Sequence, residues 1–114
     1  MTELDLGEVR EYLRKFAAER DWDQFHTPKN LAMALAAEAG ELLEIFQWLT
    51  AEESGSLDMT QRHALADELG DVLQYVVRLA DMTGIDLSSE VWRKLKENEV
   101  RYDATEVRGS AEKR

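Results

Sequence analysis

The chain has 114 residues, which is room for one domain and not for a second core. Hydrophobic residues make up 44% and charged residues 33%, the mix of a globular chain and not of a disordered one. The formal net charge is −10 with the acids spread along the chain, which argues against a nucleic-acid binder that grips the phosphate backbone through a basic face. There is no cysteine, so disulfide, thiolate and zinc-thiolate chemistry are excluded, and a cytoplasmic location is expected. The N-terminus, with Glu3, Asp5 and Glu8, has no basic segment leading into an apolar run, and no secretion signal is read there. The longest apolar-looking stretch, Leu31 to Leu49, is interrupted by Glu38, Glu41 and Glu44, so no membrane span is expected.

No alternation of β-branched residues runs long enough for a strand, and the periodicity predicts an all-α chain of four helices. The first covers roughly Asp5 to Arg20. The second starts at Thr27-Pro28, with Thr27 as N-cap and Pro28 at the first helical position, where its missing N–H costs nothing, and it is expected to run to about Leu49. A loop follows from Thr50 to Met59. The third helix runs from near Thr60 to Thr83-Gly84, with the glycine as its C-terminal stop. The fourth begins after Asp86 or Ser88 and reaches about Tyr102. From Asp103 the chain is polar, so residues 1–103 are expected to form the domain and 104–114 a polar C-terminal tail, mobile or ordered on induction.

The two middle helices carry an internal repeat. Leu35-Ala36-Ala37-Glu38-Ala39-Gly40-Glu41-Leu42-Leu43 matches Leu65-Ala66-Asp67-Glu68-Leu69-Gly70-Asp71-Val72-Leu73 in its Leu, Ala, Glu, Gly, acid and apolar positions. Residues three apart share a helix face, with Cβ atoms about 5–6 Å from each other. Glu38 with Glu41, and Glu68 with Asp71, are therefore two carboxylate pairs. Acids on a solvated face usually have Lys or Arg a turn away. Between Asn30 and Val77 the only such residue is Arg62, which is not placed to pair with any of the four. Their helical neighbours are apolar instead: Leu35, Leu42 and Ile45 for one pair, Leu65, Val72 and Tyr75 for the other. Unpaired carboxylates on a buried face either protonate or bind a cation. All-oxygen ligands select Mg²⁺, with Mn²⁺ as a substitute. Neither motif helix has the Glu-x-x-His of a di-iron bundle, which argues against redox iron. Gly40 and Gly70 recur at the same place in both helices, at a cost of roughly 1 kcal/mol each relative to alanine, and suggest a close helix approach beside the acids.

The pattern Glu38-x-x-Glu41 with Glu68-x-x-Asp71 resembles the metal motif of the all-α nucleoside triphosphate pyrophosphatases, the MazG and dimeric dUTPase superfamily. The block from Phe16 to Leu31, with Trp22-x-x-Phe25-His26-x-Pro28 inside it, looks like the dCTP pyrophosphatase branch. So do Glu41-Leu42-x-Glu44-x-Phe46-Gln47-Trp48 and Asp71-Val72-Leu73-x-Tyr75. Lys94-x-x-x-Asn98-x-x-Arg101-Tyr102 and Gly109-Ser110-Ala111 fit as well. Three positions depart from the family: Ala37 and Asp67, where glutamate is frequent, and Asp103, where proline is frequent.

The resemblance implies a four-helix MazG-like bundle that assembles as a homodimer or homotetramer. It also implies hydrolysis of a deoxynucleoside triphosphate to monophosphate and diphosphate, with dCTP-like pyrimidine substrates in this branch. Metal ions would let a chain of this charge accept a triphosphate. Glu41 and then Glu44 are the candidates for the general base. Trp48, seven residues after Glu41, and Tyr75, four after Asp71, are spaced to keep their rings near the metal face. With Trp22, added by the resemblance, they would form an aromatic pocket for a base. His26 either stabilises its turn or touches the substrate, and Asn30 helps the turn or the pocket. Lys29 could reach a phosphate. Lys94 and Asn98, four apart on one face, would reach phosphate or sugar, with Tyr102 beside them. His63 has no motif around it. Two other classes are compatible with the sequence: a non-catalytic helical nucleotide-binding or protein-interaction module, and a purely structural acidic bundle.

Overall fold

Each helix begins where a side chain can satisfy the first free N–H groups. The computed structural model describes residues 3–114 and contains helices only among them. Helix α1 is Leu6–Glu19, and its N-cap Asp5 accepts hydrogen bonds from the backbone of Gly7 and Glu8. Helix α2 is Pro28–Phe46, with Thr27 accepting from the Asn30 N–H. Helix α4, Met59–Met82, starts in a reciprocal capping box between Asp58 and Gln61, and Gly84 (φ +71°) takes the left-handed turn after its end. Helix α5, Leu87–Arg101, is capped by Asp86.

Two one-turn helices complete the set. The stretch expected as a loop holds α3, Ala51–Ser54. The reason is local: Thr50 and Glu53 form a second capping box, with Glu53 N–H donating to the Thr50 hydroxyl and Thr50 N–H to the Glu53 carboxylate. An N-cap needs extended backbone, and Thr50 has it (ψ 165°). The chain must therefore leave α2 before Thr50. It does so at Phe46, three residues short of the expected Leu49. The second short helix, α6, Ala104–Val107, lies in the C-terminal segment, capped by Asp103. There the Arg114 N–H donates to the Tyr102 hydroxyl, and Arg114 pairs with Glu106, folding the last residues back on the segment.

The chain divides into two compact units, Met1–Gly84 and Ile85–Arg114. In the first, α2 lies along α4 and α1 packs on α4 as well. Ala17, Leu31, Val77 and Ala80 are the buried hydrophobic residues. Arg14 of α1 grips Asp81 of α4 with two hydrogen bonds, at 2.8 and 2.6 Å, and this pair holds the Asp81 carboxyl below its usual range. In the second unit, α5 carries an ion-pair network in which Glu97 receives Arg93, Lys94 and Arg101. No helix among the described residues is long and apolar enough to cross a membrane.

Candidate functional site

The pairing of α2 with α4 brings three carboxylates together. Glu38 and Glu41 are one turn apart on α2, Glu68 comes from α4, and one oxygen of each lies within 4.8 Å of the others. None of the three is in an ion pair among the described residues. Glu38 Oε2 and Glu68 Oε2 are buried without any hydrogen-bond partner. Such an arrangement is costly unless a proton or a cation enters it. The Glu68 carboxyl is pushed up to about 7, first by the neighbouring Glu38 carboxyl, then by loss of water, and then by Glu41. A set of oxygen donors with orphaned lone pairs fits a hard divalent cation of the Mg²⁺ or Mn²⁺ kind.

Asp71, the fourth residue of the sequence motif, is not in this trio. One turn further along α4, it lines a pocket of about 220 Å³ that it shares with Glu38. Trp22, His26 and Tyr75 line the same pocket. The Trp22 ring stands edge-on to Phe16 at 5.8 Å and to His26 at 6.2 Å, so its plane is held from two sides. Pockets for drug-sized ligands run to roughly 300–1,000 Å³. This one suits a single base better than a whole nucleotide. A larger apolar groove of about 470 Å³ between α1 and α4, lined by Leu4, Val9, Tyr12 and Leu73 among others, contains none of the clustered acids.

Other expected site residues are placed differently. Trp48 does not join Trp22 and Tyr75: it is 87% exposed and absent from the pocket lining. Trp48 lies two residues beyond the end of α2 at Phe46. Glu44 is exposed and outside the carboxylate trio. The Asn30 side chain donates to the Phe25 carbonyl at 3.0 Å and so holds the turn before α2, while Lys29 is exposed on that helix's first turn. Lys94, Asn98 and Tyr102 belong to the second unit, where Lys94 pairs with Glu97 at 3.1 Å and Asn98 and Tyr102 are half-buried. His63 is exposed, near Asp67 at 3.6 Å. The close helix approach expected at Gly40 and Gly70 is not made within the chain, since a Cβ added at either would meet nothing within 4 Å.

Arg78 was missed. It lines the pocket, is 5% exposed, and donates to Asp23 at 2.7 Å and to His26 Nδ1 at 3.0 Å. The signal was available: a lone arginine within Val76-Val77-Arg78-Leu79-Ala80 sits where helical spacing demands an apolar residue. Gln74 and Phe16 also line the pocket and were not singled out.

Residues 33–113 match the family model described as the MazG-like family. The chain is 46% identical over 112 residues to dCTP pyrophosphatase 1 of Bos taurus, covering 96% of this chain and 66% of that protein. It is equally identical to the Homo sapiens protein of that name over 110 residues, covering 95% of this chain and 65% of that one. The chain thus spans a little under two thirds of the length of these relatives. Among solved structures, a pyrophosphatase from Archaeoglobus fulgidus aligns with a TM-score of 0.81 and 36% identity, covering 90% of this chain and 96% of that one. The match takes in both acidic helices and the carboxylate trio between them, and it agrees with what the trio and the Trp22-to-Pro28 block had suggested: the chain belongs to the MazG-like family, on its dCTP pyrophosphatase branch.

Proposed function

We propose that the chain is a nucleoside triphosphate pyrophosphohydrolase that depends on Mg²⁺, or Mn²⁺ in its place. It converts a dNTP and water to a dNMP and diphosphate, with dCTP or a modified pyrimidine dNTP as substrate, as a house-cleaning step on the nucleotide pool. The observation that carries this reading is the carboxylate trio, with its two orphaned oxygens, beside a pocket faced by Trp22 and Tyr75. The names of the relatives support the substrate class.

Glu38, Glu41 and Glu68 would hold the cation, with Asp71 close enough in the adjoining pocket to contribute on the substrate side. When bound, a divalent cation supplies neutralisation of phosphate charge and a more acidic water. The remaining tasks fall to the chain. Trp22 and Tyr75 stack the base, and aromatic faces do this for any base at roughly 1–3 kcal/mol each. Glu41 is the exposed member of the trio and the first candidate to accept the proton of the attacking water; Glu44 is the second. Lys29, Lys94, Asn98 and Tyr102 are assigned to phosphate and sugar on resemblance. Lys94 would exchange its contact with Glu97 for a charge-assisted one with phosphate.

The test is diphosphate release from a panel of dCTP, dUTP, dTTP, dATP and dGTP, with Mg²⁺ and again with EDTA. Release that is strongest with a pyrimidine and lost with EDTA is expected. Nucleotide binding without release would assign the chain to a non-catalytic binding module instead. Equal rates for purines and pyrimidines would remove the specificity claim alone.

A further inference from the structure

Arg78 is a charged side chain at an apolar position of α4, and each of its three guanidinium nitrogens has a partner. Nη2 donates to Asp23 Oδ1 at 2.7 Å, and Nη1 lies 3.6 Å from Asp81 Oδ2. These two carboxylates balance its charge. The third contact, Nε to His26 Nδ1 at 3.0 Å, does something else. An arginine N–H can only donate, so the ring nitrogen that faces it must offer a lone pair. In a neutral imidazole that leaves the ring proton on Nε2. A charged ring, protonated on both nitrogens, would set N–H against N–H. His26 lines the pocket with Trp22, Glu38, Asp71 and Tyr75, and its Nε2 makes no hydrogen bond within the described residues. Nε2–H is thus the polar hydrogen the ring can offer to a ligand.

We propose that Arg78 is a positioning residue. It holds His26 as the neutral tautomer protonated on Nε2, so that the pocket presents a neutral hydrogen-bond donor beside Trp22 and Tyr75. A ligand group with an acceptor there is selected, such as the carbonyl or an unprotonated ring nitrogen of a base. Without the clamp, the ring could exchange tautomers or gain a proton, and a cationic ring would be drawn to the carboxylates of Glu38 and Asp71 in the same pocket. Loss of water and the Arg78 charge both push the ring below the usual histidine range, against the pull of Asp23, and so favour the same neutral form. The ligand half of the proposal rests on the nucleotide reading; the tautomer does not.

The tautomer is read from the ¹⁵N shifts of the ring nitrogens in the full chain at pH 7, in a His63→Gln background that leaves one histidine. Nδ1 without a proton and Nε2 with one are expected. Arg78→Met should then give a mixture of tautomers. For dCTP hydrolysis, it should raise KM roughly three- to tenfold, the worth of one hydrogen bond, with kcat little changed. A wild-type ring protonated on Nδ1, or on both nitrogens, overturns the proposal. So does an Arg78→Met protein that folds and keeps both tautomer and KM. Should Arg78→Met fail to fold, the wild-type spectrum alone decides. A wild type that hydrolyses no nucleotide yet shows the Nε2 tautomer would remove the nucleotide reading and leave the Arg78–His26 assignment supported.

Discussion

Glu68 shows how one residue couples metal, proton and stability. Its folded-state carboxyl titrates at about 7 against an ordinary 4.5, so between these values the folded protein holds a proton that the unfolded chain has released. Stability therefore falls as pH rises through that window in metal-free protein. A thermal melt in EDTA should show Tm declining from about pH 4.5 to beyond pH 7 relative to Glu68→Gln, which has no such proton to lose. Mg²⁺ added above pH 7 should raise Tm in the wild type, since a ligand that binds only the folded state stabilises it. A Tm that ignores both pH and Mg²⁺ would show that the orphaned oxygens of Glu38 and Glu68 hold neither a proton nor a cation. In activity, alanine at Glu38, Glu41 or Glu68 should nearly abolish diphosphate release at saturating Mg²⁺ while the far-ultraviolet helical signal persists. The aromatic residues divide. Trp22→Ala should raise KM about tenfold or more, on a stacking contribution of roughly 1–3 kcal/mol. Trp48 is 87% exposed on the single chain, so Trp48→Ala should lower Tm only where an assembled face covers the ring, as a melt beside light scattering would check.

Among the helices, the caps set the boundaries, and the boundaries set what reaches the site. Thr27 caps the start of α2, the helix that carries Glu38 and Glu41. Removing its hydroxyl by Thr27→Ala should cost ~1 kcal/mol in chemical denaturation. Asn30 still ties the turn to Phe25 in that variant. The box of Thr50 and Glu53 acts in the opposite direction by ending α2 early.

For the molecule as a whole, the buried apolar side chains are few, while Met33, Leu43, Trp48, Met59 and Leu69 on or beside α2 and α4 are more than half exposed. Exposed apolar surface on this scale marks an interaction face. Gly40 and Gly70, with open space where a Cβ would be, would tolerate close approach of another chain. A homodimer or homotetramer is the expected assembly. Light scattering at micromolar concentration should give at least twice the 13.1 kDa of the chain, and a monomer there would refute it.

What the sequence alone determined was local. Pro28 after Thr27, Gly84 after Thr83 and the 3.6-residue apolar period located the long helices, because caps and periodicity act within a few residues. The same period put Glu38 with Glu41 on one face, and the shortage of cations nearby exposed them as unpaired. Tertiary structure decided the rest. That Glu68 and not Asp71 completes the trio depends on the axial offset of α4 against α2, which no spacing within one helix encodes. The ionisation of Glu68 follows from that offset, since it is set by carboxylates on another helix. Arg78 could be seen as out of place in an apolar run, but its partners Asp23 and His26 lie more than fifty residues earlier. Only the packing of the turn before α2 against α4 brings them to one guanidinium.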